Sequence, residues 1–408
     1  MKKFFKYAVA IMAAALISPV FISCSSSDED EVKNYDLTIT FQRSQELAQA
    51  NIIGAKVTIS NGSATETQTV TDLSKAITVS KPQGSYNISF SAKVDGEATA
   101  IVSGTAKAEL YSNQTVTVQL QKGRQSTLVF KTIYTSAGAQ YYMLDGFFEI
   151  VNNSDEVQYL DQLILSAPAG NQKQANAWQA NGITDLYECG QGAVIAFPGN
   201  GTDFPLQPGE FVVIANEAMN HKLAYGDDDS KKDEYAKSPD LSNADWEITL
   251  GTGDVQNLED SKQMKIIFSN NQYMKAWGIG VMGRSYLLAK LPAGMTPEQF
   301  AADENNLQTT PGTSATMQYL MIPSKYVLDA VDIYNPATAP EEHYCTFLPV
   351  DDATGIQGNE SYQGLSVRRK VAKIENGRVY YKDTNSSADD FKNDQSNFPG
   401  LTPTEVDQ

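Results

Sequence analysis

Phe147-Phe148-Glu149-Ile150-Val151-Asn152-Asn153-Ser154-Asp155-Glu156-Val157-Gln158-Tyr159-Leu160-Asp161 is the stretch on which the fold turns. Its first part is aromatic and β-branched, the chemistry of a strand that packs on a pleated surface. The polar cluster Asn152-Asn153-Ser154-Asp155 then predicts a turn, because these short side chains bond neighbouring backbone groups. A second strand follows the turn. Working outward, Leu128–Tyr134 reads as a preceding strand, and Pro208-Gly209 suits a turn feeding the apolar strand Phe211–Ala215. Glu149, set among apolar neighbours, is expected to be a structural hydrogen-bond acceptor or an exposed strand residue and not an acid–base group.

Upstream, residues 35–123 alternate apolar and polar positions with period two. Leu37-Thr38-Ile39-Thr40-Phe41, Lys56-Val57-Thr58-Ile59, Tyr86-Asn87-Ile88-Ser89-Phe90 and Thr115-Val116-Thr117-Val118-Gln119-Leu120 read as half-buried strands. Asn61-Gly62, Pro82-Gln83-Gly84 and Asp95-Gly96 punctuate them at the spacing of a small β-sandwich. The stretch Gly54 to Phe90 resembles the transthyretin-like or carboxypeptidase-regulatory-like sandwiches of surface proteins.

Residues 124–408 carry a second resemblance. Glu149-Ile150-Val151-Asn152-Asn153-Ser154 is similar to the opening of the lamin-tail domain, an immunoglobulin-like sandwich. Further blocks follow in order at Leu206–Ala215, Leu328–Ile333, Gly364–Arg369 and Asp383–Ser387, with Asp390-Phe391 and Phe398-Pro399-Gly400. Length is the departure, so about 219–324 is expected to be an inserted region. The fold class is therefore mainly β: a small sandwich, then an expanded immunoglobulin-like sandwich with long insertions and few helices. Thr296-Pro297-Glu298-Gln299-Phe300 is the clearest helix start, with Thr296 as N-cap, Pro at the first helical position and Gln299 at the third.

The N-terminus assigns an address. Lys2, Lys3 and Lys6 precede an uncharged apolar run from Tyr7 to Ile22, the layout of a secretory signal over residues 1–23. Phe21-Ile22-Ser23-Cys24 resembles the lipobox of bacterial lipoproteins, which implies lipid on Cys24. Residues 24–34, with Ser25-Ser26-Ser27-Asp28-Glu29-Asp30-Glu31, are too polar to fold and form a tether. The acidic run resembles the export signal of Bacteroides-type lipoproteins, implying an outer-membrane anchor facing the cell exterior.

Composition narrows the partners. The formal charge is −18, and residues 1–23 contain three Lys and no acidic side chain, so the mature chain stands at about −21 by the same count. Nucleic acid is a poor partner for such a surface, because phosphate binding is carried by Lys and Arg. His221 and His343 are the only histidines, so a three-His zinc site is impossible within this chain. No Walker-type glycine loop and no Gly-x-Ser-x-Gly elbow occurs, and no motif requires a cofactor.

Candidate ligand-binding residues are Asp245, Trp246 and Glu247 with Trp277, where aromatic faces lie near carboxylates in a pattern suited to sugars or cations, core or edge packing being the commoner use of such residues. Asp227, Asp228 and Asp229 offer oxygens of the kind Ca²⁺ prefers, without the EF-hand spacing. Cys189 and Cys345 either form one disulfide or remain two thiols. Arg368 and Arg369 suit either an anionic ligand or the protein's own carboxylates, the second being favoured. The architecture resembles surface lipoproteins accessory to TonB-dependent outer-membrane transporters. The leading expectation is a non-catalytic binding or accessory module in nutrient capture, partnered by such a transporter or another surface protein. A structural or adhesion protein without a small ligand is the alternative, and a carboxylate-pair hydrolase the third.

Overall fold

Strand alternation governs the N-terminal module. In Gly84–Val94 every second side chain from Tyr86 to Val94 is buried, and Val116, Val118 and Leu120 repeat the pattern in Gln114–Arg124. These faces meet Leu37, Ile39, Val57, Ile59 and Leu110 in one core. The computed structural model describes residues 33–407 apart from 62–63, 98, 169, 171–172, 190–191, 249–260, 272–273, 275–276 and 279. The expected signal segment 1–23 and Cys24 therefore lie outside the described residues, as does nearly all of the expected tether.

Seven strands build the first sheet in the order Ala64–Thr69, Ile52–Asn61, Gly84–Val94, Ala100–Leu110, Gln114–Arg124, Asn34–Arg43 and Ile77–Pro82. Gln114–Arg124 is the strand that joins its two halves. Residues 114–120 run parallel to Asn34–Arg43, whereas 121–124 pair antiparallel with Ala100–Ser103. Gly104 permits the crossing, because a Cβ there would collide with the Gln119 carbonyl.

The larger module packs two sheets face to face. One has seven strands in the order Lys262–Gln263, Trp246–Glu247, Phe211–Ala215, Phe147–Asn152, Leu128–Tyr134, Ser366–Arg369 and Phe391–Gln395. The other has six: Lys265–Ser269, Ala193–Ala196, Ile164–Ser166, Arg284–Ala289, Val327–Tyr334 and Ile356–Gln357. Phe130, Phe148 and Trp246 of the first meet Ile195, Tyr286 and Val331 of the second in the shared core. Both sheets are covered on their other faces too. Tyr187, Phe300 and Leu320 cover the six-stranded sheet, and Leu241, Val371 and Tyr381 cover parts of the seven-stranded one. That second cover explains why Leu128–Tyr134 and Phe147–Asn152 are buried at every position and do not alternate.

The turn after Phe147–Asn152 forms as its chemistry predicts. Asn152 Nδ2 donates to the carbonyls of Glu156 (2.7 Å) and Leu206 (2.8 Å), while its Oδ1 accepts from the Ser154 amide and hydroxyl. Glu149 is a buried acceptor, taking bonds from Lys131 Nζ (2.8 Å), the Thr132 hydroxyl and the Gly400 amide. Helix Pro297–Ala302 carries the reciprocal capping box between Thr296 and Gln299.

The expected inserted region, 219–324, contributes strands to both sheets. Trp246–Glu247 and Lys262–Gln263 extend one sheet, and Arg284–Ala289 lies between Ile164–Ser166 and Val327–Tyr334 inside the other. A strand buried on both faces has no period-two signature, so its place in the sheet could not be read from patterning. Asn34–Gln408 as a whole cluster into one compact unit, so the two modules pack against each other.

Candidate functional site

The expected ligand-binding residues are structural. Trp246 is 2% exposed and is met edge-on by Phe197 and Phe204, each with ring centres 4.9 Å away. Trp277 is 1% exposed and donates its indole N–H to the Ala193 carbonyl at 2.7 Å. Glu247 is fully buried, accepting from the Ala218 amide (2.9 Å) and from Gln263 Nε2 (2.8 Å). Asp245 is exposed but accepts the Val213 amide at 2.8 Å. The physical driver of these aromatic residues is the core, which removes two indoles from water.

Asp227, Asp228 and Asp229 lie on an exposed segment. Asp228 caps a short 3₁₀ turn by accepting from the Ser230 amide, and no joint donor geometry among the three is present in the described residues. Cys189 and Cys345 are both free, so the disulfide alternative falls. Cys189 is sealed in the core against Val194 and Leu320, where burial pushes its thiol pKa up. Arg369 serves the protein's own carboxylates, bonding both oxygens of Asp329. Arg368 bonds the carbonyls of Ser396 and Phe398.

Clefts and a cluster of donor side chains lie instead where the modules meet. Segment 335–355 docks on the small sandwich: Asn87 Nδ2 donates to the Pro340 carbonyl (3.0 Å), Lys107 Nζ to that of His343 (2.7 Å) and the Ser103 hydroxyl to that of Pro349 (2.6 Å). Gln125 Nε2 reaches the Asp383 carbonyl at 2.7 Å, and the Ser126 amide its carboxylate at 2.6 Å. Two clefts flank this junction.

The larger cleft has a volume of about 750 Å³ and is lined by Glu46, Lys122, Arg124, Lys325, Asp351 and Asn385 among others. Lys122 bridges to Glu97 at 2.6 Å. Asp351 accepts the hydroxyls of Tyr187 and Ser324, each at 2.5 Å, and burial pushes its pKa up to about 6. Burial thus raises one acid of a lining in which Lys122, Arg124 and Lys325 stand beside Glu46 and Asp351.

The smaller groove, about 300 Å³, is lined by Ser60, Asn87 and Lys107 from the small sandwich and by Tyr334, His343, Cys345 and Asp389 from the larger module. Donor atoms of Asp332, His343 and Cys345 all lie within 4.8 Å of one another. Asp332 sits on Val327–Tyr334 directly across from Ser285, whose hydroxyl bonds its Oδ1 at 2.9 Å. Its Oδ2 takes His343 Nε2 at 3.0 Å and the Thr346 amide at 2.9 Å. Tyr334 stacks on the imidazole at 4.3 Å between ring centres, and a Cβ on Gly355 would press to 2.6 Å from Nε2. The ring is therefore fixed from three sides.

Electrostatics reinforce that geometry. Burial disfavours a charged imidazole, but the Asp332 carboxylate overrides it, and with help from Cys345 pushes the His343 pKa up to about 10. Burial likewise opposes ionisation of Asp332, yet His343 and the Thr346 and Ser285 bonds hold its pKa below the usual range. The sequence singles out His343 and Cys345 but not their convergence on Asp332. The available signal was His343-Tyr344-Cys345, a histidine and a cysteine two apart in a chain with two histidines, but its partner Asp332 is 11 positions away on a strand.

Fold and site together define a two-module, mainly β protein whose chemistry-bearing loop is clamped between modules. Residues 207–398 match a family model described as a protein of unknown function, DUF4876. The chain is also similar to the crystal structure of a DUF4876 family protein from Bacteroides thetaiotaomicron, at 25% identity and a TM-score of 0.55. That likeness covers 91% of this chain and 98% of the other. No curated protein matches the sequence.

Proposed function

We propose that this protein is a non-catalytic binding module, held by lipid on Cys24 at the outer face of the outer membrane, and accessory to a TonB-dependent transporter in nutrient capture. The observation that carries the reading is the junction cleft of about 750 Å³, within the roughly 300–1,000 Å³ of small-molecule sites. Its ligand is a polar, anionic solute. Lys122, Arg124 and Lys325 line the cleft beside Glu46 and Asp351, and Lys122 is paired with Glu97, so Arg124 and Lys325 are the cations offered to a ligand in a chain whose overall charge is −18. The larger module is lamin-tail-like on this reading, its two facing sheets and its Asn152 turn being what such a sandwich needs.

The test uses the intact lipoprotein in native membranes. Cys24→Ala is expected to release the protein from the membrane fraction or leave it unprocessed, and affinity capture of the wild type to recover a transporter. Thermal-shift titration with neutral and uronic-acid oligosaccharides is expected to raise the melting temperature with the acidic series alone, an effect lost in Arg124→Glu/Lys325→Glu. Recovery of no transporter, together with no response to any acidic sugar, would sink the proposal and leave a structural or adhesion role.

A further inference from the structure

We infer that Tyr141 and Tyr362 form a surface platform that binds the apolar face of an uncharged sugar ring within a neutral polysaccharide chain. The platform shares no residue with the larger cleft. Thr127 lines that cleft, and the seven residues of Leu128–Tyr134, roughly 20 Å of strand, separate it from the loop that carries Tyr141. Three features carry the inference.

The first is backbone strain kept for an exposed ring. Tyr141 is 79% exposed, the highest value among the described large hydrophobic side chains, and its φ is +61°. Tyr362, whose ring centre lies 6.0 Å away with the two planes at 62°, also has φ +61°. Left-handed backbone is an outlier for a bulky residue and natural for glycine. A ring left in water buries little surface in the fold, so packing gives no reason for tyrosine at a position that glycine fills without strain. Strained residues of this kind gather at ligand sites.

The second is a rigid frame. The Tyr362 amide donates to the Ser136 carbonyl at 2.7 Å and the Gly364 amide to that of Ala137 at 3.1 Å, while the Ser136 hydroxyl reaches the Leu365 carbonyl at 2.7 Å. On either side of Tyr141, the Gln140 amide donates to Glu234 Oε1 at 2.5 Å and the Tyr142 hydroxyl to His221 Nδ1 at 2.6 Å. Burial pushes the His221 pKa down to about 4, so the imidazole is neutral and its Nε2–H donates to the Glu217 carbonyl at 2.8 Å. The backbone of both tyrosines is thus fixed before any ligand arrives, which lowers the ordering cost of binding.

The third is what surrounds the rings. Each tyrosine stands next to an exposed glutamine, Gln140 and Gln363, whose side-chain amide both donates to and accepts from hydroxyl groups. Lys237 is exposed, and its Nζ lies 3.4 Å from the Tyr362 carbonyl and 3.5 Å from Gln363 Oε1, contacts long enough to yield to a ligand oxygen. Glu234, bonded to the Gln140 amide, offsets that charge, so the platform has no net charge with which to select a carboxylate or a cation. C–H faces for the rings and hydroxyls for the amides occur together on a neutral pyranose. A site this small binds weakly. A ligand below its dissociation constant stabilises little, so short neutral sugars leave the melting temperature where it is, whereas a polymer repeats the same unit many times along one chain.

The experiment runs the full-length lipoprotein in detergent through native gels cast with soluble dextran, galactomannan, xyloglucan or polygalacturonate, and takes an apparent dissociation constant from the retardation. Wild type is expected to be retarded by at least one of the neutral polymers. Tyr141→Gly should weaken that binding by about tenfold or more, with no fall in melting temperature, because glycine accepts φ +61°. Tyr141→Phe, which keeps the ring, should retain it. Arg124→Glu/Lys325→Glu should retain it too, which separates this outcome from any failure of the cleft reading. Absence of retardation by every neutral polymer overturns the proposal, as does equal retardation of wild type and Tyr141→Gly. A fall of several degrees in the melting temperature of Tyr141→Gly would make the ring structural and overturn it as well.

Discussion

Replacing Arg369 with Met tests how the larger module is held together. The Arg369 side chain is 1% exposed. Its Nη2 bonds the Asp329 oxygens at 2.7 and 2.6 Å, Nε the Phe130 carbonyl at 2.7 Å, and Nη1 the Lys382 carbonyl at 3.0 Å. Asp383 and Asp390 each place an oxygen 3.7 Å from Nη1, and the guanidinium lies 4.4 Å over the Phe391 ring. One cation therefore joins Leu128–Tyr134, Val327–Tyr334 and the 383–391 segment. Methionine fills much of the volume but leaves three buried carboxylates without their counter-charge, a loss of about 3–5 kcal/mol.

The pH dependence of that loss is specific. Burial raises the pKa of Asp329, Asp390 and Asp383, the last to about 7, even with Arg369 present. A carboxyl whose folded pKa exceeds its unfolded one contributes stability fully below the unfolded value near 3.8, and loses it as pH rises through the folded value. Removing Arg369 raises the folded values further and widens the window. The variant's deficit should thus be larger at pH 8 than at pH 5. Urea titration followed by tryptophan fluorescence is the assay, since Trp178, Trp246 and Trp277 all lie in the larger module. The midpoint should fall by roughly 1–2 M for a slope near 3 kcal/mol/M. A deficit below about 1 kcal/mol, or one that does not grow with pH, refutes the account.

Two further outcomes are expected. Trp277→Ala, which empties a core site against Phe148 and frees the Ala193 carbonyl, should cost about 3–5 kcal/mol in the same titration; a loss under about 1 kcal/mol would deny it a core role. Burial pushes Glu188 up to about 8, with Arg284 opposing, so its contribution is full below its unfolded value near 4.5 and is lost as pH rises through about 8. Glu188→Gln should therefore raise the melting temperature relative to wild type at pH 8 and above, with the gain vanishing near pH 4; equal shifts at both would contradict it.

Much of the fold was readable along the chain. The small sandwich has one wet face on most strands, so burial prints itself as alternation in Gly84–Val94 and Gln114–Arg124, and the Asn152 turn and the Thr296 cap are local bonds between near neighbours. Short-range chemistry of this kind is complete within a few residues. The strand role of Arg284–Ala289, by contrast, had no signature, because a segment covered on both sides is buried at nearly every position and does not alternate.

The site shows the same division. Residue types set the candidates: a chain with two histidines and three cysteines offers few nucleophile–base pairs, and the N-terminal lipobox-like segment nominates Cys24 without any fold. Trp246 and Trp277 attracted attention because aromatic residues beside acids look alike in a pocket and in a core; only packing distinguishes them, and it placed both inside. Which histidine, cysteine and aspartate come together was decided by tertiary structure alone. Strand pairing sets Asp332 opposite Ser285, the docked loop folds His343 and Cys345 back over it, and Gly355 lets the ring approach. Sequence distance carries no record of that convergence, because the forces that produce it are the burial and pairing of groups supplied by separate strands and loops.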